Sequence, residues 1–231
     1  MIQNERIKEL NKKNIKNGDY VLYWMHSSHR INFNHALQYS ILKANKLNKP
    51  LIVFYGLTTN YPSANLRHYT FLLEGIKEVQ SALNKIGVKM VIFKESPEKG
   101  VLDLSKGASL VVMDRGYLKI HKQWIRYCIE NIECPLIQIE SNVIVPVDSA
   151  SQKEEFSAGT FRPKIASLLD YYLFPLDKNK PDKTSIYMDF NSLEFDDIQD
   201  VLSHLNIDQN VKPVIYFKGG ESEANRKLNE F

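Results

Sequence analysis

The stretch VLYWMHSSHRINFNHAL, from Val21 to Leu37, decides the fold of this protein. Its first five residues form a continuous apolar run, which is typical of a parallel strand covered on both faces of a sheet. A polar cluster, His26 to Arg30, follows at once, and a helix-like segment begins within a few residues. Open α/β sheets place their ligands at the carboxyl ends of their strands. The stretch therefore predicts an architecture and a site together.

Four more segments share the short, β-branched or aromatic composition of a buried strand. They follow at helix-sized intervals, at 51–55, 89–93, 109–113 and 136–139. Amphipathic stretches separate them; the clearest runs to Gly87 and has Ser63 or Asn65 as its candidate N-cap. This alternation predicts an α/β protein with a Rossmann-like, doubly wound, five-stranded parallel sheet in the order 3-2-1-4-5.

The pattern changes after the last predicted strand. Residues 141–159 are polar with few periodic signals, and 162–174 predict a helix. Lysines and a proline in 177–184 indicate a linker, and 192–205 predict a weaker helix. Gly219-Gly220 then precedes a short amphipathic segment with the start signals of another helix.

These segments predict three parts. We expect an α/β domain over 1–175, an inter-domain linker over 176–218 and the truncated start of a helical domain over 219–231. The apolar stripe of the last predicted helix reaches Phe231 without a C-cap signal, which favours a chain that stops just inside a second domain.

The composition is that of a folded protein with balanced charge. Hydrophobic residues make up 43% of the 231 residues, and the net charge is only +3, which by itself gives no argument for nucleic-acid binding. No apolar run approaches the ~20 residues of a membrane span, so no membrane association is expected. Cys128 and Cys134 have no histidine at metal-ligand spacing and predict two reduced thiols in a cytoplasmic protein.

The amino terminus is polar and lacks the features of a targeting peptide. Its basic residues alternate with glutamate and asparagine; they are Arg6, Lys8, Lys12, Lys13 and Lys16. This alternation favours a solvated helix face over a DNA-binding arm.

Two loops of the predicted sheet should meet at its carboxyl edge. In the order 3-2-1-4-5 the first and fourth strands are neighbours, so the loops after Met25 and Met113 face each other. The residues that would line this crevice are His26, His29, Arg30, Asp114, Arg115 and Tyr117. They suit a polar aromatic ligand held by hydrogen bonds and stacking, although solvated loop residues would give the same pattern.

Other common site signals are missing from the sequence. It has no G-x-G-x-x-G motif, no P-loop and no G-x-S-x-G nucleophile elbow. His68 opens a predicted helix and is expected to cap it or lie at the surface. Trp24 and Trp124 are expected in the core, the second of them packing a helix onto the sheet.

Several short motifs occur in a characteristic order over about 150 residues. They are Lys16-Asn17-Gly18-Asp19-Tyr20, Asn34-x-Ala36-Leu37, Ala64-Asn65-Leu66-Arg67-His68-Tyr69, Gln123-Trp124, Asn142-Val143-Ile144-Val145-Pro146 and Thr160-x-Arg162-Pro163-Lys164-Ile165. In their order and spacing they resemble the N-terminal half of class II cyclobutane pyrimidine dimer photolyases.

The resemblance implies a light-dependent DNA repair lyase. In that family an α/β antenna domain precedes a helical domain that docks on it, binds FAD and grips the damaged DNA, and photoexcited reduced FAD donates the electron that splits the dimer. The antenna domain can hold a deazaflavin, a folate or a flavin that passes excitation energy to FAD. The 231 residues contain the antenna part and are expected to be inactive alone.

The resemblance and the crevice together select four cofactor-binding candidates. These are Arg30, Asn34, Asp114 and Tyr117, which offer charged or amide partners for the edges of a chromophore and a ring for its face. No catalytic or metal-binding residue is predicted within the chain. Arg162 and Lys164 are expected at the linker or the domain interface.

The identity of the chromophore stays open, because Phe33 and Ser27-Ser28 depart from the family pattern. Two alternative functions also stay open. One is a stand-alone Rossmann-like module that binds a nucleotide or a chromophore, and the other is a cryptochrome-like photoreceptor.

Overall fold

A twisted sheet with helices on both faces forms the centre of the protein. We analysed a computed structural model that describes residues 2–194 and 197–231. The strands in those residues are β1 (Ile7–Glu9), β2 (Tyr20–Trp24), β3 (Leu51–Gly56), β4 (Lys89–Phe93), β5 (Ala108–Asp114) and β6 (Leu136–Ile139). They lie in the order β1-β6-β5-β2-β3-β4, and β2 to β6 are parallel. The predicted order of the five parallel strands is confirmed.

The expectation of five strands is wrong by one edge strand. β1 pairs antiparallel with β6, with Ile7 opposite Ile139. The sequence does not reveal β1, because three residues of mixed polarity are too few to show a strand-like alternation. Their pairing depends on an otherwise open edge of the sheet. The expected solvated helix face is also wrong, since Arg6 is only 2% exposed and its guanidinium donates to the carbonyl oxygens of Glu140 (3.1 Å) and Val143 (2.9 Å).

Four helices cover the two faces of the sheet. They are α1 (His35–Leu47), α2 (Leu66–Lys85), α3 (Pro97–Ser105) and α4 (Lys119–Asn131). In β2, Val21 and Tyr23 point into the core that α1 and α2 cover, whereas Leu22 and Trp24 point into the core of α3 and α4. All four of these strand residues are completely buried, which explains the continuous apolar run in the sequence.

Five more helices, of 4 to 10 residues, follow the sheet in the described residues. They are α5 (Val147–Ala150), α6 (Ala158–Ala166), α7 (Leu169–Tyr172), α8 (Ile198–Ser203) and α9 (Glu221–Glu230). The single helix predicted over 162–174 is in fact α6 and α7; α6 begins earlier because the Ser157 side chain caps it through Thr160 N. The helix predicted over 192–205 is shorter because the Asp197 side chain caps it, and residues 195–196 of that prediction lie outside the described residues.

The stretch predicted as a linker lies against the sheet over part of its length. Ser185 and Ser192 accept hydrogen bonds from Lys89 N (2.8 Å) and Ile92 N (2.9 Å), so this stretch covers the free edge of β4. Further along, the side chains of α8 enter the core beside α2. Where a domain boundary falls stays a prediction. Among the described helices, none has the length and apolar character needed to cross a bilayer.

Candidate ligand site at the carboxyl edge of the sheet

Asp114, at the end of β5, holds the loop that follows β2. Its side chain is 1% exposed, and Oδ2 accepts hydrogen bonds from the backbone N–H groups of His26 (3.1 Å), Ser27 (2.9 Å) and Ser28 (2.9 Å). Consecutive N–H groups that converge in this way form an anion-binding nest. Oδ1 accepts a hydrogen bond from the Tyr23 hydroxyl at 2.8 Å. Burial and the neighbouring carboxylate raise the pKa of Tyr23 well above its usual value, so its hydroxyl stays a donor.

Asn34 and Arg30 brace the other end of the same loop. Asn34 is fully buried; its Oδ1 caps α1 by accepting from Leu37 N (2.9 Å), and its Nδ2 donates to the carbonyl oxygen of Arg30 (2.9 Å). The guanidinium of Arg30 donates to the carbonyl oxygen of Ser141 (3.0 Å) and to Asn142 Oδ1 (2.9 Å). Both side chains therefore tie loops to one another.

Tyr117 lies in a neighbouring polar cluster. Its hydroxyl donates to Glu140 Oε1 at 2.6 Å, and the second oxygen of the buried Glu140 pairs with Arg115 Nη1 at 3.1 Å. Arg115 also forms a two-bond ion pair with the exposed Asp148. Burial and the hydrogen bond to Glu140 raise the pKa of Tyr117, so the phenol stays protonated.

The structure thus places the four predicted cofactor-binding residues along one edge of β2, β5 and β6. Arg30, Asn34 and Asp114 share one loop network, and Tyr117 lies in the adjacent cluster around Glu140. Their polar atoms already have protein partners. Contact of any of them with a chromophore stays a prediction.

A cavity of about 510 Å³ opens on the other side of the end of β2, towards β3. This volume lies within the usual range for small-molecule sites. The lining atoms come from the end of β3, the loops after β2 and β3, the first two turns of α2, the start of α3, and α4. They belong to His26, Ser27, His29, Tyr55, Gly56, Thr58, Tyr61, Pro62, Ser63, Ala64, His68, Tyr69, Leu72, Pro97, His121 and Trp124.

Three imidazoles in this wall carry buried nitrogen atoms without a hydrogen-bond partner among the described residues. The atoms are His26 Nδ1, His29 Nε2 and His121 Nδ1. Because His26 Nε2 lies 2.8 Å from the carbonyl oxygen of Asp114, that nitrogen must carry the proton, and Nδ1 is then an acceptor. Buried polar atoms are normally paired, so unpaired ones call for an explanation such as a bound group.

The three imidazoles are neutral at physiological pH. Burial lowers the pKa of His29 and of His121 to about 4, and it lowers the pKa of His26 as well, although the nearby Asp114 opposes the shift. Of the residues that the structure describes, no Asp, Glu, Lys or Arg belongs to the cavity wall. A neutral, partly polar cavity suits an uncharged ring system better than a phosphate or a carboxylate.

Aromatic rings form a continuous wall around the imidazoles. His121 lies between His26 and Trp124, at centroid distances of 5.2 and 5.5 Å. The fully buried Trp24 supports this wall from behind, 4.7 Å from His26. Tyr61 lies 6.4 Å from Trp124, and its hydroxyl oxygen lies 3.4 Å from His121 Nε2. This wall offers flat surfaces on which a planar ligand can stack.

The sequence pattern predicts part of this cavity but not the rest. It placed His26 and His29 at the carboxyl edge, but it did not select His121 or Tyr61, and it assigned Trp124 to packing alone. His121 and Trp124 are three residues apart in α4, so they share one helix face. A buried histidine beside a tryptophan on the sheet-facing side was the available signal. Tyr61 had no signal, because only the chain trace brings its loop to α4.

His68 has the capping role expected from the sequence. Its Nδ1 accepts from Asn65 N at 3.3 Å, and the Asn65 side chain completes a capping box at the start of α2. The ring also contributes to the rim of the cavity. Among the described residues, no three His, Cys, Asp or Glu side chains are arranged to hold a metal ion.

The fold and the cavity define a doubly wound α/β domain with a neutral aromatic pocket at its carboxyl edge. A family profile described as DNA photolyase matches residues 21–183. The chain belongs to this family.

The relatives carry one name and are longer than this chain. A deoxyribodipyrimidine photo-lyase from Methanothermobacter thermautotrophicus is 43% identical over 233 residues, which cover 100% of this chain and 51% of the relative. A protein of the same name from Potorous tridactylus is 30% identical and aligns with 91% of this chain and 40% of its own length. The chain therefore spans about half or less of the length of these relatives.

A solved structure confirms the fold. A bacterial class III photolyase from Agrobacterium tumefaciens superposes with a TM-score of 0.65 and 17% sequence identity. The superposition covers 93% of this chain and 45% of that protein.

Proposed function

We propose that this chain is the N-terminal, chromophore-binding half of a deoxyribodipyrimidine photo-lyase. The complete protein repairs cyclobutane pyrimidine dimers in DNA, with a docked helical domain that holds FAD and the lesion. Reduced FAD supplies the electron that splits the dimer; none of the residues of this chain is assigned to FAD. The family membership and the half-length match to proteins of that name support this proposal. The buried free thiols Cys128 and Cys134 are consistent with the cytoplasm.

The cavity beside β2 is the proposed antenna site, in place of the four residues predicted from the sequence. The single observation that carries this choice is the set of unpartnered imidazole nitrogens on His26, His29 and His121. Flavin, deazaflavin and pterin rings are planar and present N–H and carbonyl groups at their edges, which complement neutral imidazoles and aromatic walls. The bound ring supplies light absorption. The residues of the chain orient it and exclude water.

The antenna site can be tested with three probes on the 231-residue chain. We expect at least one of 8-hydroxy-5-deazariboflavin, riboflavin and folate to bind, detected by the change in its fluorescence. His121→Ala should weaken that probe about tenfold or more, because it removes a ring from the wall and a buried polar partner. His204→Ala, at an exposed histidine outside the cavity, should leave affinity unchanged. Absence of binding by all three probes, or equal losses in the two variants, would overturn the assignment.

The repair activity needs a separate experiment on a chain extended to the length of its relatives. Loaded with FAD and reduced, this protein should restore thymine dimers to thymines under blue light, as measured by chromatography of the DNA. A flavin-loaded protein without light-dependent repair contradicts the proposal and favours a photoreceptor.

A further inference from the structure

The edge of the sheet opposite the cavity concentrates positive charge. We define the amino-edge face as six segments at the amino ends of the parallel strands and around them: 11–19, 46–50, 84–88, 103–107, 130–135 and 180–184. They carry nine lysines against five carboxylates, whereas the whole chain has a net charge of only +3. The rest of the molecule is therefore slightly acidic, and the asymmetry is a property of the fold.

Tertiary structure brings these lysines together. After β1 the chain crosses the amino ends of the strands, with Asn11 Nδ2 bonded to Cys134 O (2.9 Å), Lys16 N to Ser109 O (3.1 Å) and Asp19 N to Gly107 O (2.8 Å). The segment that the sequence analysis interpreted as a solvated helix face is thus an extended strap across β6, β5 and β2.

A second segment extends the face to the other side of the sheet. Lys180 O accepts from Asn45 Nδ2 at 2.9 Å near the end of α1, and Ser185 N donates to Gly87 O at 2.9 Å just before β4. Lys180 and Lys183 therefore lie beside the lysines that end α1 and α2. The five parallel strands alone make this edge about 20 Å wide.

Most of these ammonium groups have no acidic partner in the described structure. Within the described residues only Lys13 and Lys106 of the nine have a carboxylate within 4 Å, at Glu133 (3.1 Å) and Asp103 (2.7 Å). Lys46 and Lys85 lie in the last turns of their helices, where they also offset the negative ends of the helix dipoles. The lysines in segments 11–19 and 180–184 lie outside helices and have no such role.

We propose that the amino-edge face binds the phosphate backbone of duplex DNA. Lysine is a point charge on a flexible stem and neutralises phosphates without reading bases. An edge about 20 Å wide can reach phosphates on both sides of the minor groove, which is about 6 Å across. The choice of DNA among polyanions rests on the proposed function. The face lies at the opposite edge of the sheet from the cavity, so DNA and chromophore do not compete.

Binding of undamaged duplex to this chain tests the proposal independently of repair. We expect fluorescence anisotropy with a labelled duplex of about 30 bp to show micromolar binding at about 50 mM salt. The logarithm of the association constant should fall with the logarithm of the salt concentration at a slope of about −3 to −4. The triple variant Lys12→Glu, Lys180→Glu, Lys183→Glu should weaken binding at least tenfold and flatten that slope. All three positions are exposed and lie outside helices and strands, so the variant should fold.

A matched triple variant controls for net charge. Lys99→Glu, Lys119→Glu, Lys122→Glu changes the total charge equally, at exposed positions in the first turns of α3 and α4. This control variant should lose less than half as much binding free energy as the amino-edge variant loses. Equal losses in the two triples, or no binding by the wild-type chain, would overturn the proposal. Binding to vesicles that contain phosphatidylserine with no detectable binding to duplex would overturn it as well.

Discussion

The two sides of the carboxyl end of β2 carry similar polar side chains but differ in how these are paired. On the β5 side, every oxygen and nitrogen of the Asp114 and Asn34 side chains has a protein partner. On the β3 side, His26, His29 and His121 line a cavity, and each has a buried ring nitrogen without a hydrogen-bond partner among the described residues. Polar residues at the end of a strand can thus either form hydrogen bonds that hold a loop or keep polar atoms without a protein partner. The difference lies in their hydrogen-bond partners and not in their residue types.

The largest expected effect comes from removing Asp114, which holds the loop on the β5 side of β2, here called the closed side. Asp114→Ala leaves three N–H groups, two of them buried and one partly buried, and the Tyr23 hydroxyl without their acceptor. It should therefore lower the free energy of unfolding by about 3–5 kcal/mol in urea denaturation. Asp148→Ala removes an exposed ion-pair partner and should cost less than about 1 kcal/mol. Similar losses in the two variants would show that the closed side is not an anchor.

The buried histidines on the β3 side of β2, here called the open side, should make the free energy of unfolding depend on pH. Below pH ~6.5 the unfolded chain protonates its histidines, whereas folded His29 and His121, with pKa values of about 4, stay neutral. The unfolded state then binds more protons, so the free energy of unfolding falls as the pH drops from about 6.5 to 4. The expected slope is about 1.4 kcal/mol per pH unit for each buried histidine.

Substitution of one histidine isolates its contribution to the pH dependence of the unfolding free energy. His121→Phe should reduce the slope of unfolding free energy against pH by one histidine equivalent, as measured by urea denaturation between pH 4 and 6.5. An unaltered slope in His121→Phe would contradict the neutral character of the cavity.

An intermediate effect is expected at the cap of α1. Asn34→Ala removes the helix cap and the bond to Arg30 O, and should cost about 1–2 kcal/mol of unfolding free energy. Asn34→Ser keeps a capping oxygen and loses the donor. If serine restores full stability in urea denaturation, the loop bonds of Asn34 contribute nothing and the closed side is less connected than the geometry indicates.

The smallest effect is expected at Tyr117. Tyr117→Phe removes one bond to Glu140, which keeps Arg115 as a partner, so unfolding free energy should change by less than about 1 kcal/mol. Probe affinity in the fluorescence titration should not change, because Tyr117 does not line the cavity. A clear loss of affinity would contradict the cavity assignment and favour the crevice that was predicted from the sequence.

The sequence by itself determined the parallel sheet, its strand order and the family. Buried parallel strands are short runs of consecutive apolar residues, and their helices repeat with a period of 3.6, so both patterns are local and readable in segments such as Val21 to Met25. It also placed His26 and His29 at the correct edge. The short edge strand β1 was not readable, because it depends on an open sheet edge, and the start of α6 was missed because it depends on the Ser157 cap.

Only the tertiary structure decided which polar residues face a cavity and where the lysines gather. Arg30, Asn34, Asp114 and Tyr117 have the residue types of a binding site. Each, however, has a hydrogen-bond partner, which lies 111, 4, 91 and 23 residues away, respectively, and such pairing is a property of the folded chain. His121 and Tyr61 are sixty residues apart and meet because the first turn of α4 and the loop after β3 both lie at the carboxyl edge of the sheet. Composition fixes the number of charges and rings, whereas their meeting points depend on packing over long sequence distances.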